Sequence, residues 1–296
     1  MPPLGVEVLA LFGPTGSGKT AVAEALAETL ETEVVSADAM QVYRGLPILT
    51  NQPERPTRLV AIRELSEQMS VGEYEHLAHA AIDELVDAHG VAVVAGGTGL
   101  YLRAALAYLG LPPRVSTEVR ERWAEEYDED AEAAFATLRA RDPEAAALVH
   151  ANDRRRVVRA LELTEAGTSL APPQDRLWAS ETRRPTLVAG LDVSRGALER
   201  RVEERTEAMF RRGVVAEMQD ALAAGPLSQT AAKTLGLREL ANARPEEARE
   251  AIVRRTLRYA AYQRRWMRRI PGIVMIDAER PPAEVADEIL EVARAR

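Results

Sequence analysis

The segment from Gly13 to Thr20, with the sequence GPTGSGKT, constrains the fold more than any other part of the chain. It matches the pattern G-x-x-x-x-G-K-[ST] in full, follows the apolar run Val6–Phe12, and precedes Ala21–Leu30, which has helical spacing. Glycines let backbone N–H groups curl around an anionic phosphate, and the N-terminus of the next helix adds its unpaired N–H groups. A glycine-rich turn inside a core is the alternative interpretation. The pattern favours a strand, a phosphate-binding loop and a helix in succession.

The last two residues of this loop carry groups that can act on a diphosphate. Lys19 can reach the outer phosphates as a point charge, and the Thr20 hydroxyl can bind Mg²⁺. Only two of the 38 basic residues are lysines, Lys19 and Lys233. A GC-rich genome is the favoured explanation of this bias, and the alternative is that a lysine position requires a compact ammonium. We expect a diphosphate or nucleotide, with Mg²⁺ as cofactor, to bind the loop through Gly13, Pro14, Thr15, Gly16, Ser17, Gly18, Lys19 and Thr20.

Further apolar runs predict the strands of a parallel sheet. Helical patterns separate these runs, as at Val71–Ala88, and Pro281–Ala295 closes the chain with another helix. Alternation of strand and helix is typical of a parallel sheet with helices on both faces. The predicted strands are Val6–Phe12, Glu33–Ala37, Val91–Ala95, Thr186–Val193 and Gly272–Ile276.

The composition changes after Pro112 and Pro113. Residues 118–146 contain ten Asp and Glu against four Arg, a net charge of −6, and no strand-like run. The helical pattern continues to Glu165, and a loop rich in Pro, Ser and Thr runs from 167 to 185. The sequence therefore predicts an α/β core at 1–112 and 186–296, interrupted by a helical insertion domain at 113–185.

Asp38 ends the second predicted strand, and Thr98 follows the third. Ligands of parallel sheets bind outside the carboxyl ends of the strands. Asp38 is therefore expected beside the phosphate loop, facing its ligand. The alternative is that Asp38 only caps the next segment.

Composition excludes several classes of site. Cysteine is absent, which removes disulfides, thiolate zinc sites, iron–sulfur clusters and cysteine nucleophiles. The longest stretch without Asp, Glu, Lys or Arg, residues 88–102, has 15 residues, whereas a membrane span needs about 20 apolar ones. No basic segment precedes the first apolar run, which argues against a secretory signal. We expect a cytoplasmic protein without a membrane partner.

Six motifs follow one another along the chain. They are GPTGSGKT at 13–20, SADAMQVYRG at 36–45, GGTGLYLR at 96–103, NDRRRVVRALE at 152–162, LGLRE at 235–239 and YAAYQRRWMR at 259–268. Together and in this order, they resemble the motifs of the tRNA dimethylallyltransferases, also called tRNA isopentenyltransferases. Many enzymes share the phosphate loop, so SADAMQVYRG and the order of the motifs carry most of the specificity.

The resemblance implies transfer of a dimethylallyl group from dimethylallyl diphosphate to the N6 amine of adenine at tRNA position 37, beside the anticodon, with release of diphosphate. It also implies a core like that of P-loop NTPases, an insertion that contacts the tRNA anticodon stem-loop, and a monomer. Asp38 would be the proton acceptor, with Lys19 and Thr98 as further catalytic residues and Arg201 and Arg205 on the diphosphate. The implied tRNA contacts are Asp38, Ala39, Met40, Gln41, Tyr101, Arg103, Arg156, Arg159 and Gln263.

Three segments depart from the family pattern. Leu49–Pro53 replaces Gly-Thr-Ala-Lys-Pro, Arg58–Ile62 stands in the region of a His-His pair, and Thr256-Leu257 replaces Thr-Arg. These changes affect local RNA or diphosphate contacts and leave the reaction class unchanged.

A late helix concentrates positive charge in an otherwise acidic chain. Residues 249–269 carry eight arginines and one glutamate, a net charge of +7, while the whole chain has a net charge of −8. Such asymmetry indicates a polyanionic partner, although the arginines could also form a solvated face. Tyr259, Tyr262 and Trp266 form one stripe at helical spacing, for which a core role is the favoured interpretation. The arginines at 154–159 are ambiguous between RNA contact and helix surface.

Three other functions compete with transfer to tRNA. A small-molecule or nucleoside kinase shares the loop and sheet but does not explain SADAMQVYRG, the insertion or the arginine-rich helix. A regulator that binds RNA and nucleotide has no use for Asp38 beside the loop. An adenine-nucleotide prenyltransferase of the same family is the third alternative, and the chain length and basic helices favour tRNA over it.

Overall fold

A computed structural model describes residues 4–113, 115–171 and 176–296 of the chain. The described strands form one sheet in which every neighbouring pair is parallel, in the order β3-β2-β4-β1-β5-β6. They are β1 (Val8–Phe12), β2 (Val34–Ser36), β3 (Thr57–Arg58), β4 (Ala92–Gly96), β5 (Thr186–Asp192) and β6 (Val274–Asp277).

Helices connect the strands and fill the segment between β4 and β5. The described residues also include two short 3-10 helices, Arg176–Trp178 and Ala231–Lys233. The α-helices are α1 (Lys19–Thr29), α2 (Val71–His89), α3 (Gly99–Leu106), α4 (Thr117–Glu129), α5 (Ala131–Arg141), α6 (Pro143–Leu148), α7 (Arg154–Glu165), α8 (Arg195–Arg211), α9 (Val214–Ala223), α10 (Leu237–Asn242), α11 (Pro245–Met267) and α12 (Pro282–Arg294).

Helices cover both faces of this sheet, as the alternating pattern predicted. Leu9 and Leu11 of β1 belong to a buried cluster with α1, α8 and α12. Phe12 and its neighbours at alternate positions of β1 are equally buried but lie outside that cluster, on the side where α2 and α3 pack. Burial on both sides explains why the central strands read as continuous apolar runs.

The five predicted strands are all found, within two residues of their expected bounds. The sequence missed β3, a two-residue strand at the edge of the sheet. Thr57 and Arg58 are polar and half-buried and follow no apolar run, so hydrophobic patterning gives no signal for them. Pairing with β2 alone defines this strand.

The described chain divides into two compact units, one of residues 1–108 with 177–296 and one of residues 109–176. The sequence predicts the insertion at 113–185, so its bounds differ from those of the smaller unit by four residues at one end and nine at the other. The predicted loop at 167–185 includes residues 172–175, which lie outside the described residues. Within the described ranges, no helix combines the length and apolar character needed to cross a membrane.

The smaller unit has its own hydrophobic core. Side chains from α4, α5, α6 and α7 meet there, among them Trp123, Leu138 and Val157. Asp130, Asp142 and Asp153 begin α5, α6 and α7, and each carboxylate accepts a backbone N–H of the first turn. Part of the acidic character of this segment therefore consists of helix caps.

Candidate active site

The phosphate loop closes through glycines that adopt left-handed backbone angles. Gly16 and Gly18 have φ of +89° and +87°, values that side-chain-bearing residues rarely adopt. Gly18 is the N-cap of α1, so the first N–H groups of the helix point toward the loop. Ser17 Oγ is buried and has no hydrogen-bond partner among the described residues, which suits a loop whose polar groups are completed by an anion.

Lys19 is half-buried at the start of α1, and its Nζ donates to the Pro14 carbonyl at 3.5 Å. The pKa of Lys19 is lowered to about 8, mainly by burial; the charge of Asp38 opposes this lowering and that of Arg205 adds to it. Lys19, Asp38 and Arg205 therefore interact electrostatically around the loop. Asp38 is expected beside the phosphate loop, and its electrostatic effect on Lys19 is consistent with that position.

Arg201 of α8 bonds to the same loop, and Arg205 of that helix acts through its charge on Lys19 and Asp38. Arg201 donates from Nη1 to the carbonyls of Gly16 and Ser17 at 3.4 and 3.3 Å, and from Nη2 to Ala278 at 3.3 Å. Burial lowers the pKa of Arg205, while Asp38 raises it. Because the two residues are four apart on a helix, both point to the loop from one side.

Asp38 follows β2 and is fixed by the backbone that comes after it. Its Oδ1 accepts the N–H of Met40 at 2.9 Å. The Thr98 hydroxyl accepts the N–H of Ala39 at 3.2 Å, and Thr98 also shares a side-chain hydrogen bond with Tyr259. The pKa of Tyr259 is raised to about 12, mainly by burial and also by the charge of Asp38, while the bond with Thr98 opposes the rise. Asp38 and Thr98 thus lie together at the carboxyl ends of β2 and β4.

Gln263 joins the phosphate loop to the segment after β4. Its Oε1 accepts the N–H of Thr15 at 2.8 Å, and its Nε2 donates to the Gly97 carbonyl at 2.8 Å. A Cβ at Gly97 would lie 2.3 Å from Gln263 Nε2, and a Cβ at Gly99 would lie 2.2 Å from the Trp266 ring. These glycines are therefore required because α11 packs directly on them.

The Gln41 side chain is held by the segments around it. Ser36 Oγ donates to Gln41 Oε1 at 2.7 Å, and Gln41 Nε2 donates to the Asn51 carbonyl at 2.9 Å. The Thr234 hydroxyl donates to Met40 Sδ at 3.3 Å. Residues 38–41, all expected to contact tRNA, are half-buried and closely positioned.

Three residues expected to contact tRNA lie inside the protein instead. Gln263 and Arg103 are 1% exposed and Tyr101 is 4% exposed. Arg103 donates to the carbonyls of Leu177 and Ala179 at 2.9 and 2.8 Å, and burial lowers its pKa. Tyr101 stacks on the ring of Tyr74, with 4.2 Å between ring centroids. Spacing on α3 and α11 could not reveal this, because burial depends on which neighbouring elements pack on each face.

The two arginines of α7 expected to bind tRNA have different surroundings within the smaller unit. Arg159 pairs with Glu162 and donates to the carbonyls of Pro112 and Pro113 at 3.2 and 2.9 Å. Arg156 is exposed and has no ion-pair partner among the described residues. Of these two arginines, Arg156 is the one whose guanidinium is available to a phosphate.

Helix α11 presents a mixed aromatic and cationic surface. Tyr262 is 47% exposed, its ring lies 6.2 Å from that of Tyr259, and Arg265 lies over it at 5.8 Å. The favoured core interpretation of this stripe is therefore wrong for Tyr262. In the described chain Arg258, Arg265 and Arg268 are exposed without a carboxylate partner, whereas Arg254 pairs with Glu250.

No cluster of three or more His, Cys, Asp or Glu side chains suited to a metal occurs among the described residues. Mg²⁺ is commonly bound by few protein ligands together with substrate phosphates and water, so the Thr20 hydroxyl in the loop fits such a site. Cavities of about 470 and 540 Å³ lie along α9–α11 and between α8 and α11, not at Lys19.

Two residues that shape this site give no local signal in the sequence. The sequence pattern places Tyr259 in a stripe at helical spacing and does not reveal its hydrogen bond with Thr98. The pattern around Glu217 likewise does not indicate a role for Glu217. Glu217 accepts the N–H groups of Ile48 and Leu49 at 2.6 and 2.8 Å. These bonds span more than 160 residues of sequence, and no local pattern reports them.

Family models and curated relatives of one kind, the isopentenyl and dimethylallyl transferases, match most of the chain. The family model described as IPP transferase matches residues 41–270, and one described as isopentenyl transferase matches residues 6–65. A tRNA dimethylallyltransferase of Kineococcus radiotolerans is 37% identical, over 97% of this chain and 96% of the relative. One from Salinispora arenicola is 39% identical, over 92% of this chain and 82% of the relative.

Solved structures show the same fold. The tRNA isopentenylpyrophosphate transferase of Bacillus halodurans has a TM-score of 0.67 and 29% identity, over 97% of this chain and 95% of that one. A eukaryotic dimethylallyltransferase captured acting on tRNA has a TM-score of 0.74 and 25% identity, over 92% of this chain and 74% of that one.

Proposed function

Because this chain belongs to the IPP transferase family, together with the tRNA dimethylallyltransferases, we propose that it transfers a dimethylallyl group from dimethylallyl diphosphate to N6 of adenine 37 in tRNA. The observation that carries the proposal is the grouping of Lys19, Arg205 and Asp38 around one phosphate loop. Dimethylallyl transfer to tRNA is the activity that the relatives' names describe.

The reaction requires the protein to accept a proton from N6 and to stabilise the leaving diphosphate. The N6 amine attacks the allylic carbon, a C–N bond forms, the C–O bond to the diphosphate breaks, and N6 loses a proton. Asp38 is suited to accept that proton, and the Thr98 hydroxyl holds the backbone beside it. The adenine must leave its stack to reach this site, as it does for other base-modifying enzymes.

Negative charge grows on the diphosphate as it leaves. The loop N–H groups, Lys19, Arg201 and Arg205 form the cationic surroundings that stabilise this charge. A divalent metal would be held by Thr20 and by the diphosphate itself, and when bound it would neutralise further charge. No nucleoside triphosphate is needed, because the diphosphate occupies the place of the outer phosphates in kinases.

The proposed tRNA contacts fall into two groups. Residues 38–41 recognise the target nucleotide, and the exposed arginines of α11 and Arg156 of α7 contact phosphates. Tyr101, Arg103 and Gln263 support the site from inside rather than touching RNA. We also propose that the helical insertion contributes to tRNA binding, and that the protein acts in the cytoplasm as a monomer.

A labelling experiment tests the proposal against its alternatives. The protein is incubated with Mg²⁺, labelled dimethylallyl diphosphate and either tRNA or AMP. We expect label in tRNA at adenine 37. Label in AMP alone would establish the adenine-nucleotide alternative, and the absence of transfer to either acceptor would overturn the proposal.

Replacing Asp38 tests its role as proton acceptor. Asp38→Asn keeps the side-chain shape but loses the base, so kcat should fall by roughly 10²–10⁴ while KM for dimethylallyl diphosphate changes little. Asp38→Ala should also raise KM for tRNA. Asp192→Asn is the matched control, because Asp192 lies at the carboxyl end of β5 and accepts a nearby backbone N–H.

Other roles of Asp38 predict different kinetics. If Asp38 bound the metal, both variants would weaken diphosphate binding and more Mg²⁺ would partly restore activity. If Asp38 were only a cap, both variants would lose about 1 kcal/mol of stability and keep their turnover. Turnover within about threefold of the parent would exclude the proton-acceptor role, since a positioned base contributes more than this.

A further inference from the structure

A carboxylate from a distant helix holds the turn that follows the Asp38 segment. Glu217 on α9 accepts the N–H of Ile48 with Oε2 at 2.6 Å and the N–H of Leu49 with Oε1 at 2.8 Å. In residues 46–52, defined here as the support turn, Thr50 N donates to the Leu46 carbonyl at 3.0 Å. Both oxygens of Glu217 are thus used on two consecutive amides of this turn.

The support turn also holds the segment that carries Asp38, the proposed proton acceptor. The Asn51 carbonyl accepts Gln41 Nε2 at 2.9 Å, and Gln41 Oε1 accepts the Ser36 hydroxyl at 2.7 Å. Gln52 Nε2 donates to the Tyr43 carbonyl at 2.7 Å. A continuous path of hydrogen bonds therefore runs from Glu217 through the support turn to both sides of Asp38.

Glu217 has an electrostatically costly environment. Burial raises its pKa, and the two backbone N–H groups and the charge of Arg212 only partly oppose this effect. Among the described residues its carboxylate has no salt bridge. Burying a carboxylate without a salt bridge costs free energy that its hydrogen bonds must offset. Here those bonds fix the N–H groups of Ile48 and Leu49.

We propose that Glu217 is a positioning residue for the adenosine side of the active site, acting through the support turn on Gln41 and the Asp38 segment. The inference rests on the proposed function of the same site. The contacts on the diphosphate side, through Lys19 and Arg201, do not pass through the support turn. Glu217 therefore affects the use of tRNA and not the binding of dimethylallyl diphosphate.

Steady-state kinetics of Glu217→Ala and Glu217→Gln test this selectivity. A misplacement of about 1 Å at a reacting group can cost up to about 100-fold, so we expect Glu217→Ala to lower kcat/KM for tRNA by roughly 10- to 100-fold. KM for dimethylallyl diphosphate should stay within about twofold, on the order of ordinary assay scatter. Glu217→Gln keeps one acceptor oxygen and should show a smaller loss.

Asp220→Asn is the matched control, since Asp220 is an exposed acid on the next turn of α9. It should leave both kinetic constants at the parent values. Equal losses for tRNA and dimethylallyl diphosphate, or unchanged kinetics in Glu217→Ala, would overturn the proposal. A lower melting temperature with parent kinetics at the assay temperature would reduce Glu217 to a structural role and would equally overturn it.

Amide hydrogen exchange provides a readout that does not depend on activity. The N–H groups of Ile48 and Leu49 should be protected in the parent and exchange faster in Glu217→Ala, with unchanged protection in the central strands. Unchanged exchange at these two amides overturns the positioning role whatever the parent does with tRNA. Faster exchange, combined with absence of transfer to tRNA by the parent, would instead place the failure in the proposed function.

Discussion

Lys19 shows how a single residue can be tuned by its surroundings. In the folded protein, burial brings its pKa down to about 8, so its ammonium is close to losing its proton under mildly alkaline conditions. Asp38 favours the charged form and Arg205 opposes it. A bound diphosphate would add negative charge and favour the ammonium strongly, so charge on the ligand and charge on Lys19 are mutually stabilising.

We expect the affinity for dimethylallyl diphosphate to fall as pH rises through about 8, because only protonated Lys19 attracts the anion. Equilibrium binding between about pH 7 and 10 measures this dependence. Lys19→Met should bind weakly and show a much smaller pH dependence in this range. Lys19→Arg should also bind more weakly than the parent at neutral pH, because a planar guanidinium does not replace a point charge in this loop.

The second lysine of the chain supplies the control for this experiment. Lys233 is exposed, and Lys233→Met removes the same charge away from the loop. Its binding curve should coincide with that of the parent. A parent affinity that is constant across this pH range, or parent-like binding by Lys19→Arg, would contradict the role given to Lys19.

Helix α11 combines two functions on two faces. Its buried face carries Gln263, which joins Thr15 of the phosphate loop to Gly97 after β4. Its exposed face carries Arg258, Arg265 and Tyr262. The helix therefore connects the surface proposed to bind RNA to the loop proposed to bind the diphosphate.

Reversing charge on this exposed face should weaken tRNA binding in a salt-dependent way. Arg258→Glu and Arg265→Glu should each flatten the plot of log affinity against log salt by about 0.7–0.9 for every phosphate that the variant no longer neutralises. Arg200→Glu on α8 is the equal-charge control, because Arg200 is exposed and lies on another helix. If all three slopes match the parent slope, α11 is a solvated face and the RNA site includes other arginines.

At the scale of the whole molecule, the chain contains two units with separate cores. The larger unit surrounds the sheet, and the smaller one is built from α4 to α7 around Trp123 and Leu138. In the smaller unit, Glu162 is fully buried and hydrogen bonded by Arg120 at 2.9 and 3.0 Å. Burial raises the pKa of Glu162, but the bonds from Arg120 and Arg159 outweigh this and keep it below its usual value.

A separate core predicts that residues 109–176 fold on their own. The isolated segment should give a helical circular dichroism spectrum and a cooperative thermal transition. Trp123→Ala should lower the melting temperature, because removing so large a side chain from a core lowers the free energy of unfolding by about 3–5 kcal/mol. Ala140→Lys and Ala140→Glu, at an exposed position of the same unit, should leave the melting temperature unchanged. A gradual, non-cooperative melt of the parent segment would show that it depends on the rest of the chain.

Local sequence was sufficient to specify the strand–loop–helix unit, four further strands and the motifs that point to a phosphate loop and an acid. These features are local, since period, glycine placement and apolar runs reflect what each short segment can form. Local sequence could not place Gln263, Arg103 and Tyr101 inside the protein, nor Tyr262 outside it. The face of a helix that becomes buried depends on the elements that pack on it.

The packing of the folded chain determines which distant groups meet. Glu217 reaches Ile48 and Leu49, Thr98 reaches Ala39, and the edge strand β3 exists only through its pairing with β2. Polar groups buried by folding must find hydrogen-bond partners wherever the chain brings them, and those partners leave no periodic trace in sequence. The residues proposed to react could therefore be named from the sequence, whereas the way they are held follows from the fold.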